Sequence, residues 1–210
     1  MKQTTEAAYA KINLCLDVTA RRPDGYHEID GVMQSVTLCD ALTVTFAPSS
    51  RTEVALYAEG NPQMPADRRN LAVRAAERFL AAANMGGEVH IGLQKRIPMA
   101  AGLAGGSTDA AAVLRALNRL TGFPLTAGEL GAVGLGLGAD VPFCIAGGSR
   151  RTRGIGELLE PCPLLPPCHL VIARRGEGVS TPWAYARLDE LYHSFAADAV
   201  RPSSGLPGLL

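Results

Sequence analysis

A chain of 210 residues and 22.0 kDa with 47% hydrophobic residues is long enough to bury a core and fits one large or two small globular domains. Lys+Arg and Asp+Glu number 20 each, so the formal net charge is +0 and the pI near 6.9, which excludes any global attraction for nucleic acid or an anionic membrane. Cys15, Cys39, Cys144, Cys162 and Cys168 form no Cys-x-x-Cys pair and their odd number completes no disulfide framework; the polar start Met1-Lys2-Gln3-Thr4 has no apolar signal region; cytoplasmic location with reduced thiols is expected.

The first element in the chain is an alternating run. Ala8, Ala10, Ile12, Leu14, Leu16 and Val18 share one face, with Tyr9, Lys11, Asn13, Cys15 and Asp17 on the other, which predicts a half-buried strand. Arg21-Arg22-Pro23-Asp24-Gly25 predicts a turn, and Tyr26 and His27 follow it directly. Further strands are predicted at Gly31–Thr37, Ala41–Phe46, Glu53–Ala58 and Glu88–Gln94, each rich in Val, Ile, Leu or Thr.

Asn70 caps a predicted helix whose Ala72, Ala75, Ala76, Phe79, Leu80 and Ala83 recur at helical spacing, ending near Asn84 and Gly86. A second helix is predicted from Ser107 or Thr108, with Ala110, Val113, Leu114, Leu117 and Leu120 as its apolar stripe and Gly122 at its end. Thr126–Gly138 has helical spacing at Leu130, Val133 and Leu137, but Gly128, Gly131, Gly134 and Gly136 each cost about 1 kcal/mol against Ala and make it a soft helix. Asp140 follows, ahead of a predicted short strand. Pro161–Pro167 reads as a domain boundary or stiff connector, Leu170–Ala173 as a short strand, and 201–210 as a tail without periodicity.

The strongest chemical signal is Pro98-Met99-Ala100-Ala101-Gly102-Leu103-Ala104-Gly105-Gly106-Ser107-Thr108, set between a strand and a helix start. Small residues let backbone approach a ligand, and N–H groups at a helix N-terminus bind anions, so phosphate is the expected ligand. No Lys precedes Ser107, so the segment is not a P-loop. Ser107 and Thr108 either reach a Mg²⁺ or cap the helix. Lys11 and Asp140 could together hold a hydroxyl near a phosphate, or form a structural ion pair. Tyr26 and His27 either stack on a flat heterocycle or pack on the surface. His90, His169 and His193 lack metal-ligand spacing and read as structural.

Together these segments resemble the GHMP kinase superfamily, on Ala10-Lys11-Ile12-Asn13-Leu14, Arg22-Pro23-Asp24-Gly25-Tyr26-His27-Glu28, Asn70-Leu71, Lys95-Arg96-Ile97-Pro98 with the Gly-rich loop, and Leu137-Gly138-Ala139-Asp140-Val141-Pro142. The resemblance covers residues 7–190. It implies an α+β fold: a GHMP kinase N-terminal ATP-binding domain over 1–160, of an architecture shared with a ribosomal protein domain, and the incomplete start of a partial α/β C-terminal domain over 161–210. The Arg-Pro-Asp-Gly-Tyr-His stretch points to the branch that phosphorylates the 2-hydroxyl of CDP-methylerythritol for isoprenoid synthesis.

The resemblance also implies site roles. Asp140 is the expected base and Lys11 its charged partner, with Asn13 placing the substrate. Tyr26, His27 and Tyr185 are expected around the cytosine, the base lying between two rings, and Thr181 is expected to bind the substrate. Pro98 to Thr108 is the expected phosphate cradle, Asn70 and Lys95 line the nucleotide site, and ATP with Mg²⁺ are the expected cofactors; the metal's ligands are undefined, with Ser107 the candidate. No nucleic-acid or membrane partner is expected, and the oligomeric state is undefined. The superfamily continues through a C-terminal domain with a third Gly-rich motif, so a truncated, marginally stable chain is expected; the alternative is a catalytically silent nucleotide-binding remnant.

Overall fold

The computed structural model describes residues 1–59, 64–173 and 178–191. His193 and the tail 201–210 lie outside the described residues. Eleven elements follow in order: β1 (Lys2–Arg21), β2 (His27–Pro48), β3 (Glu53–Glu59), α1 (Leu71–Ala82), β4 (Gly87–Gln94), α2 (Gly105–Leu120), α3 (Ala127–Leu135), α4 (Val141–Ala146), β5 (Ser149–Gly154), β6 (Leu158–Pro161) and α5 (Thr181–Leu191). Their described residues divide into two compact units, the first of 1–10, 36–98 and 104–146, the second of 11–35, 99–103 and 147 onward.

In the first unit, the C-terminal half of β2 pairs antiparallel with β4, Ala41 opposite Gln94 through Pro48 opposite Gly87. β3 pairs parallel with β4, Glu53 opposite Glu88 through Glu59 opposite Gln94, with α1 as the crossover a parallel pair requires. Val44, Phe46, Val89, Ile91 and Leu93 point from the strands into a core completed by Phe79 and Leu80 of α1 and Val113, Leu114 and Leu117 of α2, all nearly inaccessible. Each such side chain contributes about 1.5–3 kcal/mol on burial. The fold is α+β with mixed strand pairing.

The helix ends explain where the helices start. Asn70 caps α1 as the sequence predicts: its side-chain oxygen accepts from Ala72 N at 3.0 Å and its amide donates to Pro65 O at 2.9 Å. Asn70→Ala is expected to destabilise the fold by about 1–2 kcal/mol. Urea unfolding checks this, and an unchanged midpoint would contradict it. Thr126 closes a capping box with Glu129 on α3. Of the α3 glycines, Gly134 has a packing reason, since a Cβ there would stand 2.8 Å from Ile145 and 3.0 Å from Val141 of α4.

In the second unit, the N-terminal half of β2 pairs antiparallel with β5, Ile29 opposite Gly154 through Gln34 opposite Ser149, and β5 pairs antiparallel with β6.

Several expectations are corrected. The two strands predicted at Gly31–Thr37 and Ala41–Phe46 are one strand, β2, running through Leu38-Cys39-Asp40 because Asp40 is fully satisfied inside the core. Ser107 and Thr108 do not cap α2, which begins at Gly105 after Ala104. The segment after Asp140 is the helix α4, not a strand, and Pro142 is tolerated because it sits in the first turn. Leu14 and Leu16 share the predicted buried face of β1 but are 42% and 41% exposed. Alternation assigns faces, and whether a face is covered depends on what packs there. Leu170–Ala173 forms no strand; Val171 is 95% exposed, and no edge among the described residues pairs with the segment.

Candidate functional site

Within the Gly-rich loop the backbone turns left-handed three times at alternate residues, Ala100 (φ 52°), Gly102 (φ 73°) and Ala104 (φ 57°). Only Gly102 adopts this freely; an alanine there costs about 1–2 kcal/mol. Such strain persists where the surroundings hold it, and it clusters at ligand clamps. Ala104 is the N-cap of α2 and supplies no side-chain hydrogen bond to it. The first turn of α2, Gly105-Gly106-Ser107, therefore presents its N–H groups without a side-chain cap, the arrangement that binds an anion. Leu71, at the start of α1, stands 3.6 Å from where a Gly106 Cβ would lie, so Asn70 flanks this turn.

Behind the turn is a buried charge cluster. The Lys95 ammonium donates to Asp40 Oδ2 and, at 2.8 Å, to Asp109 Oδ2. Asp40 Oδ1 accepts from the backbone of Arg96 and, at 2.8 Å, of Ile97. Gly105 leaves room for this cluster, since a Cβ there would stand 2.9 Å from Lys95 Nζ and 3.1 Å from Ile97 Cγ2 and would displace the ammonium. Lys95 thus ties the residues entering the loop, through Asp40, to the first turns of α2, through Asp109. Its charge is held in the core of the first unit.

Burial pushes the Asp109 carboxyl up to about 7, against the pull of Lys95, and the nearby Asp40 carboxylate adds to the rise. Asp109 Oδ1 is buried with no hydrogen-bond partner among the described residues. Because the folded value lies above the ordinary 3.8, the folded chain keeps a proton that the unfolded chain has lost, and stability falls as pH rises from 3.8 to about 7. Asp109→Asn is expected to remove that slope, gaining on the wild type at pH 8 relative to pH 5. Urea midpoints at the two pH values read the difference, and parallel shifts would contradict it.

The Thr108 hydroxyl donates to Tyr9 O at 2.8 Å and joins α2 to β1, whereas Ser107 stays half-buried on the exposed turn. Asp140 sits half-buried in the turn between α3 and α4, where its backbone oxygen accepts from Cys144 N at 3.0 Å. Among the described residues no group of three or more His, Cys, Asp or Glu could hold a metal ion, and no helix is long and apolar enough to cross a membrane.

The second unit holds the other expected residues. Lys11 is 5% exposed on β1, and its ammonium donates to Asn13 Oδ1 at 3.1 Å, the two lying on one face as i and i+2. Its backbone N–H donates to Leu103 O at 3.2 Å, which fastens the Met99–Leu103 part of the loop to β1. The Arg22–Tyr26 turn braces itself: Gly25 N donates to Arg22 O, Tyr26 N to Asp24 Oδ1, and Arg22 reaches Asp24 and Glu28.

Beyond the turn, Tyr26 is 57% exposed while His27 is buried. Tyr185 of α5 stacks on the imidazole, centroids 4.6 Å apart and planes at 18°. His27 Nε2 is 2.8 Å from Asp189 Oδ1. Asp189 is the residue that sequence reasoning missed; its signal is the four-residue spacing from Tyr185, which puts both on one helix face. Thr181 is exposed at the start of α5. In unit-by-unit terms, the structure gathers Lys95, Gly105 and Asp109 with Asn70 nearby in the first, and Lys11, Asn13 and Leu103, and His27 with Tyr185, in the second.

The family model for the GHMP kinases N terminal domain matches residues 70–148. The chain is 46% identical over 186 residues to a 4-diphosphocytidyl-2-C-methyl-D-erythritol kinase of Gloeobacter violaceus, covering 88% of this chain and 60% of that one. It is 45% identical over 188 residues to the protein of that name from Geobacter metallireducens, covering 90% and 66%. A crystal structure of 4-(cytidine 5'-diphospho)-2C-methyl-D-erythritol kinase superposes with a TM-score of 0.64 at 42% identity, over 77% of this chain and 56% of that one. A mevalonate diphosphate decarboxylase from Staphylococcus aureus, at 17% identity and a TM-score of 0.61 over 87% and 58%, shares the fold. The chain spans 60% and 66% of the length of the two relatives.

Proposed function

The chain belongs to the GHMP kinases and is a homologue of the 4-diphosphocytidyl-2-C-methyl-D-erythritol kinases, and from that premise we propose that it transfers the ATP γ-phosphoryl group to the 2-hydroxyl of 4-diphosphocytidyl-2-C-methyl-D-erythritol. The single observation that supports it most is the first turn of α2, which has no side-chain cap and follows a loop held left-handed at Ala100, Gly102 and Ala104. We assign this activity to the cytoplasm and to the non-mevalonate route to isoprenoid precursors.

In this reading the N–H groups of Gly105, Gly106 and Ser107 hold the nucleotide phosphates, with Met99 to Ala104 shaping the cradle and Pro98 stiffening its entry. Asn70 sets the start of α1 against the turn, and Lys95 supports the loop from below. Asp140 takes the proton of the attacking hydroxyl, and Lys11 neutralises the charge that develops. Asn13, held by Lys11, places the acceptor. His27 and Tyr185, with Tyr26 and Thr181, take the cytosine, whose binding energy orients the distant hydroxyl. Mg²⁺ would supply charge neutralisation on the phosphates. Ser107 would hold it: its half-buried hydroxyl on the first turn of α2 is a neutral oxygen ligand of the kind that suits an ion that keeps its waters and shares the nucleotide's oxygens.

The uncapped first turn of α2 is equally compatible with a second reading, nucleotide binding without turnover. ADP release separates the two. With ATP and Mg²⁺, the protein is expected to release ADP stoichiometrically with added 4-diphosphocytidyl-2-C-methyl-D-erythritol and not with mevalonate or homoserine. ADP release that ignores the acceptor would contradict the proposed substrate, and binding of ATP without release would support the second reading.

A further inference from the structure

α5 buries no residue, and its partly buried positions are Tyr185, Leu188 and Asp189, spaced as one helix face. Two of these three converge on one imidazole: Tyr185 stacks on the His27 ring, and Asp189 Oδ1 lies 2.8 Å from its Nε2. The other Asp189 oxygen lies 3.5 Å from Arg21 Nε. The ring itself is buried beside a self-braced turn, with the Tyr185 ring stacked on its face.

A carboxylate only accepts hydrogen bonds, so the His27 nitrogen that faces it must carry a proton. In the neutral imidazole the other nitrogen, Nδ1, is then an acceptor, since the bond made by one ring nitrogen sets the state of the other. An acceptor pairs with an amino group and leaves a carbonyl unpaired. Cytosine carries an exocyclic amine where uracil carries a carbonyl.

We propose that Asp189 is a positioning residue that holds His27 in the Nε2–H tautomer and thereby makes the second unit select cytosine over uracil. This rests on the reading of His27 as a base-contacting residue given above. Leaving a buried acceptor facing a carbonyl, or a donor facing an amine, is worth about tenfold or more in affinity.

The test uses the full chain, cytidine 5'-diphosphate and uridine 5'-diphosphate as probes, and Asp189→Asn. The Asn carboxamide can donate to Nε2, which frees the imidazole to carry its proton on Nδ1. Imidazole ¹⁵N shifts, assigned with His27→Gln, report the tautomer without any ligand, and calorimetry reports the two affinities. The expected result is an Nε2–H ring and tighter binding of the cytidine probe in the wild type, with the tautomer shifted and the preference reduced about tenfold or more in Asp189→Asn. An unchanged tautomer and preference in the variant would overturn the role of Asp189 while leaving the base reading intact. A shifted tautomer in a protein whose wild type binds both probes alike would overturn the proposal through the base reading itself.

Discussion

Lys95→Met is expected to destabilise the protein by about 3–5 kcal/mol, the range for breaking a buried ion pair from one side. The ammonium is 5% exposed and its partners Asp40 and Asp109 are 0% and 2% exposed, so its removal leaves two buried carboxyls without their shared cation. Asp40 keeps its backbone donors at Arg96 and Ile97. Asp109 keeps none among the described residues, and its already raised carboxyl is expected to take up a proton. Because the cluster joins the loop entry to α2, local loosening of residues 96–109 accompanies the loss. Adding Asp40→Asn and Asp109→Asn removes both stranded carboxyls and is expected to recover part of the stability. Urea unfolding of the single and triple variants measures this. A loss under about 1 kcal/mol in the single variant would show that the cluster is as weak as an exposed pair.

Asp140→Asn is expected to lower kcat by about 10²–10⁴-fold, the range for removing a general base, while the ATP dissociation constant stays within about twofold. Asn is close in shape to Asp, so the turn between α3 and α4, braced by the backbone bond from Cys144 N, is kept. Phosphoryl transfer depends on positioning and charge stabilisation, so an effect confined to kcat marks a group that acts in the transition state. Lys11→Ala is expected to behave alike. Parallel losses in nucleotide binding and turnover would place both residues in ground-state binding instead.

The features that were legible in the sequence are those set by near neighbours. Asn70 capping α1, the alternation of β4, the turn at Pro23-Asp24-Gly25 and the Gly-rich strand-to-helix loop each follow from residues a few positions apart. Features that depended on distant partners were hidden. Asp40 reads as a strand breaker until its partners at 95–97 are known. β5 is Ser-Arg-Arg-Thr-Arg-Gly, whose arginines mask a strand; Arg151 is neutralised by Asp30 on β2, at 2.9 and 2.7 Å. Leu14 and Leu16 obey the alternation, yet no rule of spacing says what covers them. At the site, the loop and the turn announced themselves by composition, whereas Asp189 became visible only when α5 laid it on His27.

The most direct test of the kinase assignment is ³¹P NMR of the purified chain with ATP, Mg²⁺ and 4-diphosphocytidyl-2-C-methyl-D-erythritol, run beside Asp140→Asn. The account predicts a new phosphomonoester signal on the 2-hydroxyl, growing as the γ-phosphate signal decays, and almost absent in the variant. An ATP-bound, folded wild type that yields no phosphomonoester, or a variant that yields as much, would contradict it.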